Sequence, residues 1–499
     1  MKKKRKFAVR VIAIILAVMM LLGMVISALV VFSENLHHDA YTLDIFYDEV
    51  QEIAYVSQNT HYVNQTGVPL DYVSFSLYAN AYRRQPTTPF DDMVFDDAYP
   101  GGFEPGGVDF ISVAVDGEAA NWGVAGDREQ VMRVEVSLAP GQSAAFDFVY
   151  AVLLPPAHGL LGTGELSVRL CDFYPIAAVY NRPAGDYVSN PYVGITQVAV
   201  SGTADYHVRV NAPEGYRVIS GGERESEVSA DGRVIWSFET ASARSVGVVL
   251  GNRYAAAERK TQSGIPVRAF TSRTAHSERA LETAVRAVEL YSEWFGPYPY
   301  ASLDIVQAEY VYGAASYTGL IIIDDDLLRE GGSALTRAIA EQVSAQWLTC
   351  AVGVDRGENP WLGDALTAYM ALLFVESNFG ADEYRKQIVD QAGDALNITI
   401  PGGLTTDSPI SRFQTAYEYD IVVRDRGIAV LHLLRDVMGD EAFKRAAARY
   451  IQSQWMAFAN TDDFIRALDE ASGGSWRQYV TMQLRDINEY VGSGAGLFD

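Results

Sequence analysis

The sequence has only two cysteines in 499 residues, Cys171 and Cys350. That scarcity excludes a disulfide framework of the kind that holds small secreted domains together. The two fall in regions assigned below to different domains, so a bridge is open but nothing suggests one. Neither belongs to a C-x-x-C pair, the pattern of a cysteine-built metal site. Basic residues are also in deficit, 39 against 63 acidic, for a net charge of −24. Such a balance repels nucleic-acid phosphates, and no nucleic-acid partner is expected. Collagen-like periods and solenoid repeats are missing as well. Hydrophobic content of 49% and charged content of 20% are those of a globular protein, at a length that implies more than one domain.

One run departs from this pattern. Lys2, Lys3, Lys4, Arg5, Lys6 and Arg10 precede a charge-free, mostly apolar stretch of 22 residues from Val11 to Phe32. About 20 such residues cross a bilayer core. Residues 1–10 are read as a cytoplasmic basic tail and 11–32 as a single-pass transmembrane anchor, with the rest of the chain outside the plasma membrane. A cleaved leader is the alternative, but its apolar core is usually only about 7–15 residues and Ser27-Ala28-Leu29 is a poor cleavage site. Beyond Ser33, 33 basic residues face 63 acidic ones, a net charge near −30. That surface is solubilising, and it could also attract a cationic partner.

From about Ala40 to Tyr254 short apolar stretches alternate with turn residues. Tyr72 to Tyr78, Val131 to Leu138, Ala145 to Leu153, Ile195 to Val200 and Tyr206 to Val210 read as strands. Pro86 to Val108, with Pro86, Pro89, Pro100 and Pro105, reads as a long irregular loop. After Phe270 the period changes. Ser272 to Phe295 predicts a helix with Leu281, Val285, Val288 and Tyr291 on one face, stopped by Gly296-Pro297. Further helices are predicted over Ser333 to Val352, over Asp364 to Phe379 and from about Arg424, continuing to about Leu484. The fold class is α+β: a β-rich saddle or sandwich domain over 33–259, then a mainly helical domain over 260–499.

Three segments of the helical half carry a family resemblance. Trp294-Phe295-Gly296-Pro297-Tyr298-Pro299-Tyr300 is followed by a predicted strand, Leu303-Asp304-Ile305-Val306. Gly313-Ala314-Ala315-Ser316-Tyr317-Thr318-Gly319-Leu320 comes next. Ile339-Ala340-Glu341-Gln342-Val343-Ser344-Ala345-Gln346-Trp347 and Trp361-Leu362-Gly363-Asp364-Ala365-Leu366-Thr367-Ala368-Tyr369 complete the set. Together these resemble the aminopeptidase N (membrane alanyl aminopeptidase) family of gluzincin zinc metallopeptidases. They align with F-G-x-Y-P-Y, G-A-M-E-N-W-G-L, V-A-H-E-L-A-H-Q-W and W-L-N-E-G-F-A-S-Y. The nineteen-position interval between the second histidine and the third ligand is kept between Ala345 and Asp364. The resemblance implies that 260–499 is thermolysin-like and that zinc would be the family's metal.

It also implies which positions have changed. The zinc-ligand positions hold Glu341, Ala345 and Asp364, and the general-base position holds Gln342. An alanine ligates nothing, and an amide takes no proton near neutrality. Ser316 stands where the family's glutamate holds a substrate amino terminus. Arg424 stands where a tyrosine would stabilise the oxyanion; a guanidinium could still donate to a carbonyl. Zinc lowers the pKa of its water from about 15.7 to about 7, roughly 12 kcal/mol of assistance that neither Gln342 nor Asp364 replaces. The expectations are therefore no cofactor and a membrane-anchored extracytoplasmic pseudopeptidase that binds a peptide or protein. An accessory subunit fits equally, and an enzyme with an altered metal site or residual activity is the alternative. Glu341 and Asp364 are expected to line a hydrated cleft or to pair with Arg337 or Arg424. The cleft is expected to include Gly313, Ala314 and Tyr317, with Tyr310, Tyr312 and Tyr417 as further aromatic candidates.

Overall fold

Strict alternation shapes the first part of the chain. Tyr206, Val208 and Val210 are buried while His207 and Arg209 are partly exposed, and the strand they build runs from Ala204 to Pro213. The computed structural model describes residues 38–228, 232–393 and 401–490, together with 395 and 398. These divide into two compact units. Among the described residues the first comprises those up to 88, then 99–189 and those between 201 and 253; the second comprises 89–98, 190–200 and those from 254 on.

The first unit is built on an eight-stranded sheet. Its order is Glu223–Val228, Arg233–Ala243, Ala204–Pro213, Ala40–Asp48, Ile53–Val63, Ser143–Leu153, Gly107–Val115 and Glu118–Ala119. Pairing is antiparallel except where Ala40–Asp48 meets Ala204–Pro213 in parallel. Two four-stranded sheets accompany it, one of them containing Leu70–Ser76 and the predicted strand Val131–Leu138. Phe75 packs edge-on against Phe146 and Phe148, ring centroids 5.1 and 5.0 Å away.

Asp39 enters this unit at a cost. Its carboxylate accepts a hydrogen bond from the Val63 amide at 2.8 Å, but burial outweighs that contact and pushes its pKa up from 3.8 to about 6. A carboxyl raised on folding penalises the folded state above that value, and the penalty fades as pH falls toward the unfolded value. Asp39→Asn keeps an acceptor for Val63. It should stabilise the protein by about 1–2 kcal/mol at pH 8 and by little at pH 4, a discount on the full shift because Asp39 is partly exposed. Urea unfolding at the two pH values checks this; an equal change at both would refute it.

The second unit carries a five-stranded sheet under helices. In chain order its strands are β1 (Ala255–Lys260), β2 (Pro266–Thr271), β3 (Leu303–Ala308), β4 (Ala314–Tyr317) and β5 (Leu320–Asp324). Spatially the order is β1-β2-β3-β5-β4, with β2-β3-β5 parallel and β4 an antiparallel edge. Helix α1 (Thr274–Phe295) buries Leu281, Val288 and Tyr291 and ends at Gly296, whose φ of 101° a side chain would resist. Helix α2 (Gly332–Ala345) buries Leu335, Ile339 and Val343. It is shorter than the predicted Ser333 to Val352, because Gln346–Ala351 widens into π-helical turns. Helix α3 (Pro360–Phe379) starts four residues before the predicted Asp364, since Pro360 at the first helical position needs no amide partner. Helix α4 (Arg426–Met438) follows a π-helical segment, Asp420–Asp425.

Three expectations change. Ile195 to Val200 is not a strand but an irregular segment of the second unit, with Val198 and Val200 buried. Its alternation is met by tertiary packing rather than by a ladder. The expected anchor at 11–32 lies outside the described residues. Among the described residues no helix is long and apolar enough to cross a membrane, so the single-pass plasma-membrane assignment is corrected: the structure gives it no support. The mixed architecture agrees with α+β at the level of a sheet-rich part and a helical part. Cys171 and Cys350 are buried and not joined in a disulfide, one in each unit.

Candidate functional site

Helix periodicity sets the centre of the site. Glu341 and Ala345 lie one turn apart on α2, and Asp364 lies in the second turn of α3. A cavity of about 240 Å³ within the second unit is lined by these three together with Gln342 and Arg424. Ile195, Thr196, Gln197, Tyr310, Tyr312, Ala314, Arg356, Thr367, Ala416, Tyr419 and Asp420 complete its wall. The α2, α3 and Arg424 positions singled out in the sequence therefore line one cavity.

Two glycines permit the charge pairing around it. A Cβ on Gly427 would lie 2.4 Å from Ala365 Cβ, so the start of α4 can press on α3 only because that atom is missing. Arg424, just before α4, then reaches Glu341: its Nη1 and Nη2 donate to Oε1 and Oε2 at 2.7 and 2.5 Å. Such a two-pronged guanidinium–carboxylate contact is the strongest kind of side-chain ion pair. A Cβ on Gly363 would lie 2.6 Å from Arg356 Nε. Arg356 crosses that gap to pair with Asp364 Oδ1 at 3.2 Å, and the Tyr419 hydroxyl donates to Asp364 Oδ2 at 2.5 Å. The expected pairing of Glu341 is thus with Arg424; Arg337 donates instead to Gln387 Oε1 at 3.2 Å.

The electrostatics follow from these contacts. Burial works against the Arg424 charge, but Glu341, Asp420 and Asp425 together hold its pKa above the ordinary arginine value. Asp420 is open to solvent on one side, yet desolvation by the surrounding protein, partly offset by Arg424, raises it to about 6. Asp425 is raised to about 7 for the same reasons in the same order. Burial, reinforced by Asp364, pushes the Tyr419 hydroxyl well above its usual value, so it remains a donor.

Ser316 is committed to the fold. Its hydroxyl donates to Gln342 O and accepts from Gln346 Nε2, both at 2.9 Å. Of the expected cleft residues Ala314 lines the cavity, as do the aromatic candidates Tyr310 and Tyr312. Gly313 and Tyr317 are not in its wall; Tyr317 is buried, and Tyr417 is exposed outside it. Sequence reasoning missed Thr196, Gln197, Arg356, Tyr419 and Asp420. For Tyr419 a signal existed in Tyr417-Glu418-Tyr419-Asp420, where two tyrosines alternate and only one was chosen. For Gln197 there was none, since its segment read as a strand.

Comparison with known proteins places the geometry. Residues 279–490 match the Peptidase family M1 domain. Aminopeptidase M1-D of Oryza sativa subsp. japonica is 27% identical over 241 residues, 44% of this chain and 27% of that protein. Endoplasmic reticulum aminopeptidase 2 of Homo sapiens is 24% identical over 228 residues, 42% of this chain and 23% of that protein. The match spans about a quarter of the length of these curated relatives. The solved M1 zinc metallopeptidase from Deinococcus radiodurans has a TM-score of 0.62 at 16% identity, over 90% of this chain and 92% of that one. At that identity the likeness is one of fold.

The expectation of no cofactor is corrected by this comparison, because the solved relative is a zinc metallopeptidase and zinc is the metal that the relationship indicates. The side chains at the aligned positions, as they stand, do not fit that ion. Both Glu341 oxygens are engaged by Arg424, Ala345 has no donor atom, and Asp364 is shared between Arg356 and Tyr419. Among the described residues no three His, Cys, Asp or Glu side chains converge as a metal site would need. Over residues 279–490, which match the Peptidase family M1 domain, the chain is similar in sequence to aminopeptidases, and its fold is similar to that of an M1 zinc metallopeptidase, as expected of an aminopeptidase N-type gluzincin relative.

Proposed function

We propose that the second unit is a pseudopeptidase module that holds a peptide group in its cavity without cleaving it. The observation that carries this reading is the two-pronged Arg424–Glu341 pair, which puts a fixed guanidinium against the first aligned ligand position. Gln342 at the general-base position offers an amide, which binds and orients but accepts no proton. Peptide is the ligand class suggested by the relatives, which are named aminopeptidases. Tyr310, Tyr312, Ala314 and Asp420, all in the cavity wall, offer apolar and polar surface for a small polar group.

Asp420 also favours a second reading, a peptidase-like enzyme acting through an altered site. A carboxyl near 6 is poised for proton transfer at neutral pH. One experiment separates the two. Leucine and alanine p-nitroanilides are incubated with the full chain, with and without added zinc, while titration calorimetry follows leucinamide binding. Binding without turnover in either condition is the expected result. Zinc-dependent turnover at rates of about 1 s⁻¹ or more, the ordinary range for enzymes, would overturn the proposal in favour of the second reading.

A further inference from the structure

The edge of the five-stranded sheet bears directly on what the cavity can hold. In the β4–β5 ladder the Asp324 amide donates to Gly313 O at 2.7 Å. The antiparallel pattern then turns the main-chain groups of Gly313, Ala315 and Tyr317 toward β5 and those of Ala314 and Ser316 outward. An outward row of this kind is where an extended peptide adds as one more strand.

Here the row is already occupied. The Ser316 amide donates to Gln197 Oε1 at 3.2 Å, and Gln197 Nε2 donates to Ser316 O at 2.9 Å. One side-chain amide therefore takes both groups that a neighbouring strand would take. The Ala314 amide turns back onto Tyr312 O at 3.0 Å. The Ala314 carbonyl, which points away from β5, has no partner among the described residues, and Ala314 lines the cavity. Gln197 is itself held in place. Arg356 donates to its carbonyl at 3.3 Å, Asn190 Nδ2 donates to Asp355 Oδ1 at 2.7 Å, and the Gly194 amide donates to Pro89 O at 2.7 Å. Val198, beside it, is fully buried.

We propose that Gln197 is a specificity-determining residue that caps β4, so that the site accepts a compact ligand of one residue's size and excludes a peptide laid along the sheet edge. The ligand class is a small amine or amide whose N–H groups meet the Ala314 carbonyl and the Asp420 carboxylate. The cavity volume agrees: about 240 Å³ is below the roughly 300–1,000 Å³ of sites for larger ligands. The inference rests on the reading of this cavity as a binding site.

The test compares leucinamide with the tetrapeptide Leu-Ala-Ala-Ala by titration calorimetry on the full chain, wild type and Gln197→Ala. The wild type should prefer leucinamide by about tenfold or more, and Gln197→Ala should reduce that preference by about tenfold, because the uncapped edge admits the longer ligand. Equal affinity of the wild type for both ligands, or a parallel loss of both in Gln197→Ala, overturns the cap while leaving the binding function standing. Failure of both ligands to bind either protein overturns the binding function, and this inference with it. Hydrogen exchange at the Ser316 amide reads the cap independently of any ligand. Exchange should be slow in the wild type and at least about tenfold faster in Gln197→Ala. Unchanged exchange means that the cap is not made, and overturns the inference even if ligands bind.

Discussion

Replacing Arg424 with methionine should destabilise the protein by about 3–5 kcal/mol, the usual penalty for leaving one member of a buried ion pair alone. Glu341 is only 5% exposed, and both of its oxygens depend on Arg424. Asp420 and Asp425 would lose their compensating cation in the same step. The companion variant is Glu341→Leu combined with Arg424→Met. It removes both charges at once, and its stability should lie within about 1 kcal/mol of the wild type, because the desolvation cost of the pair disappears with its attraction. Urea unfolding of the wild type, the single and the double variant forms a thermodynamic cycle. A single variant as stable as the wild type would mean that the pair is solvated, and the description of the site would have to be abandoned.

Trp347→Ala should cost a comparable amount, about 3–5 kcal/mol, for a different reason. Its ring is fully buried against Tyr291, Phe295 and Tyr298, with centroids 6.2, 6.2 and 5.3 Å away. Its indole N–H donates to Gly296 O at 3.2 Å, tying the π-helical turns after α2 to the end of α1. Truncation leaves a cavity and an unsatisfied carbonyl together. Trp347→Phe fills most of the space and forfeits one hydrogen bond, so about 1–2 kcal/mol is expected. The denaturation midpoints of the three proteins should rank in that order. A loss below about 1 kcal/mol for Trp347→Ala would show that the turns are not anchored here.

Much of this is legible in the sequence. The spacing of Leu281, Val288 and Tyr291 gave α1, and Gly296-Pro297 its end, because helix periodicity and helix-stopping residues act over a few neighbouring positions. The strand Val131–Leu138 was read at its correct limits for the same reason. The joint presence of Glu341, Ala345 and Asp364 near Arg424 followed from motif spacing. Ile195 to Val200 misled, because alternating residues satisfy a ladder and a packed irregular segment equally well. The expected membrane assignment rested on hydropathy in residues that the structure does not describe.

The sequence by itself determined the resemblance to M1 aminopeptidases, the α+β class, the main helices and the identities of the residues at the aligned ligand positions. Those depend on local pattern and on the order of residues along the chain. Only the tertiary structure decided that Arg424 takes both oxygens of Glu341, that Arg356 and Tyr419 share Asp364, and that Gln197 closes the edge at Ser316. Each of those contacts joins residues 8 to 119 positions apart. Whether two such groups meet depends on close approaches, such as those at Gly363 and Gly427, that no local pattern records.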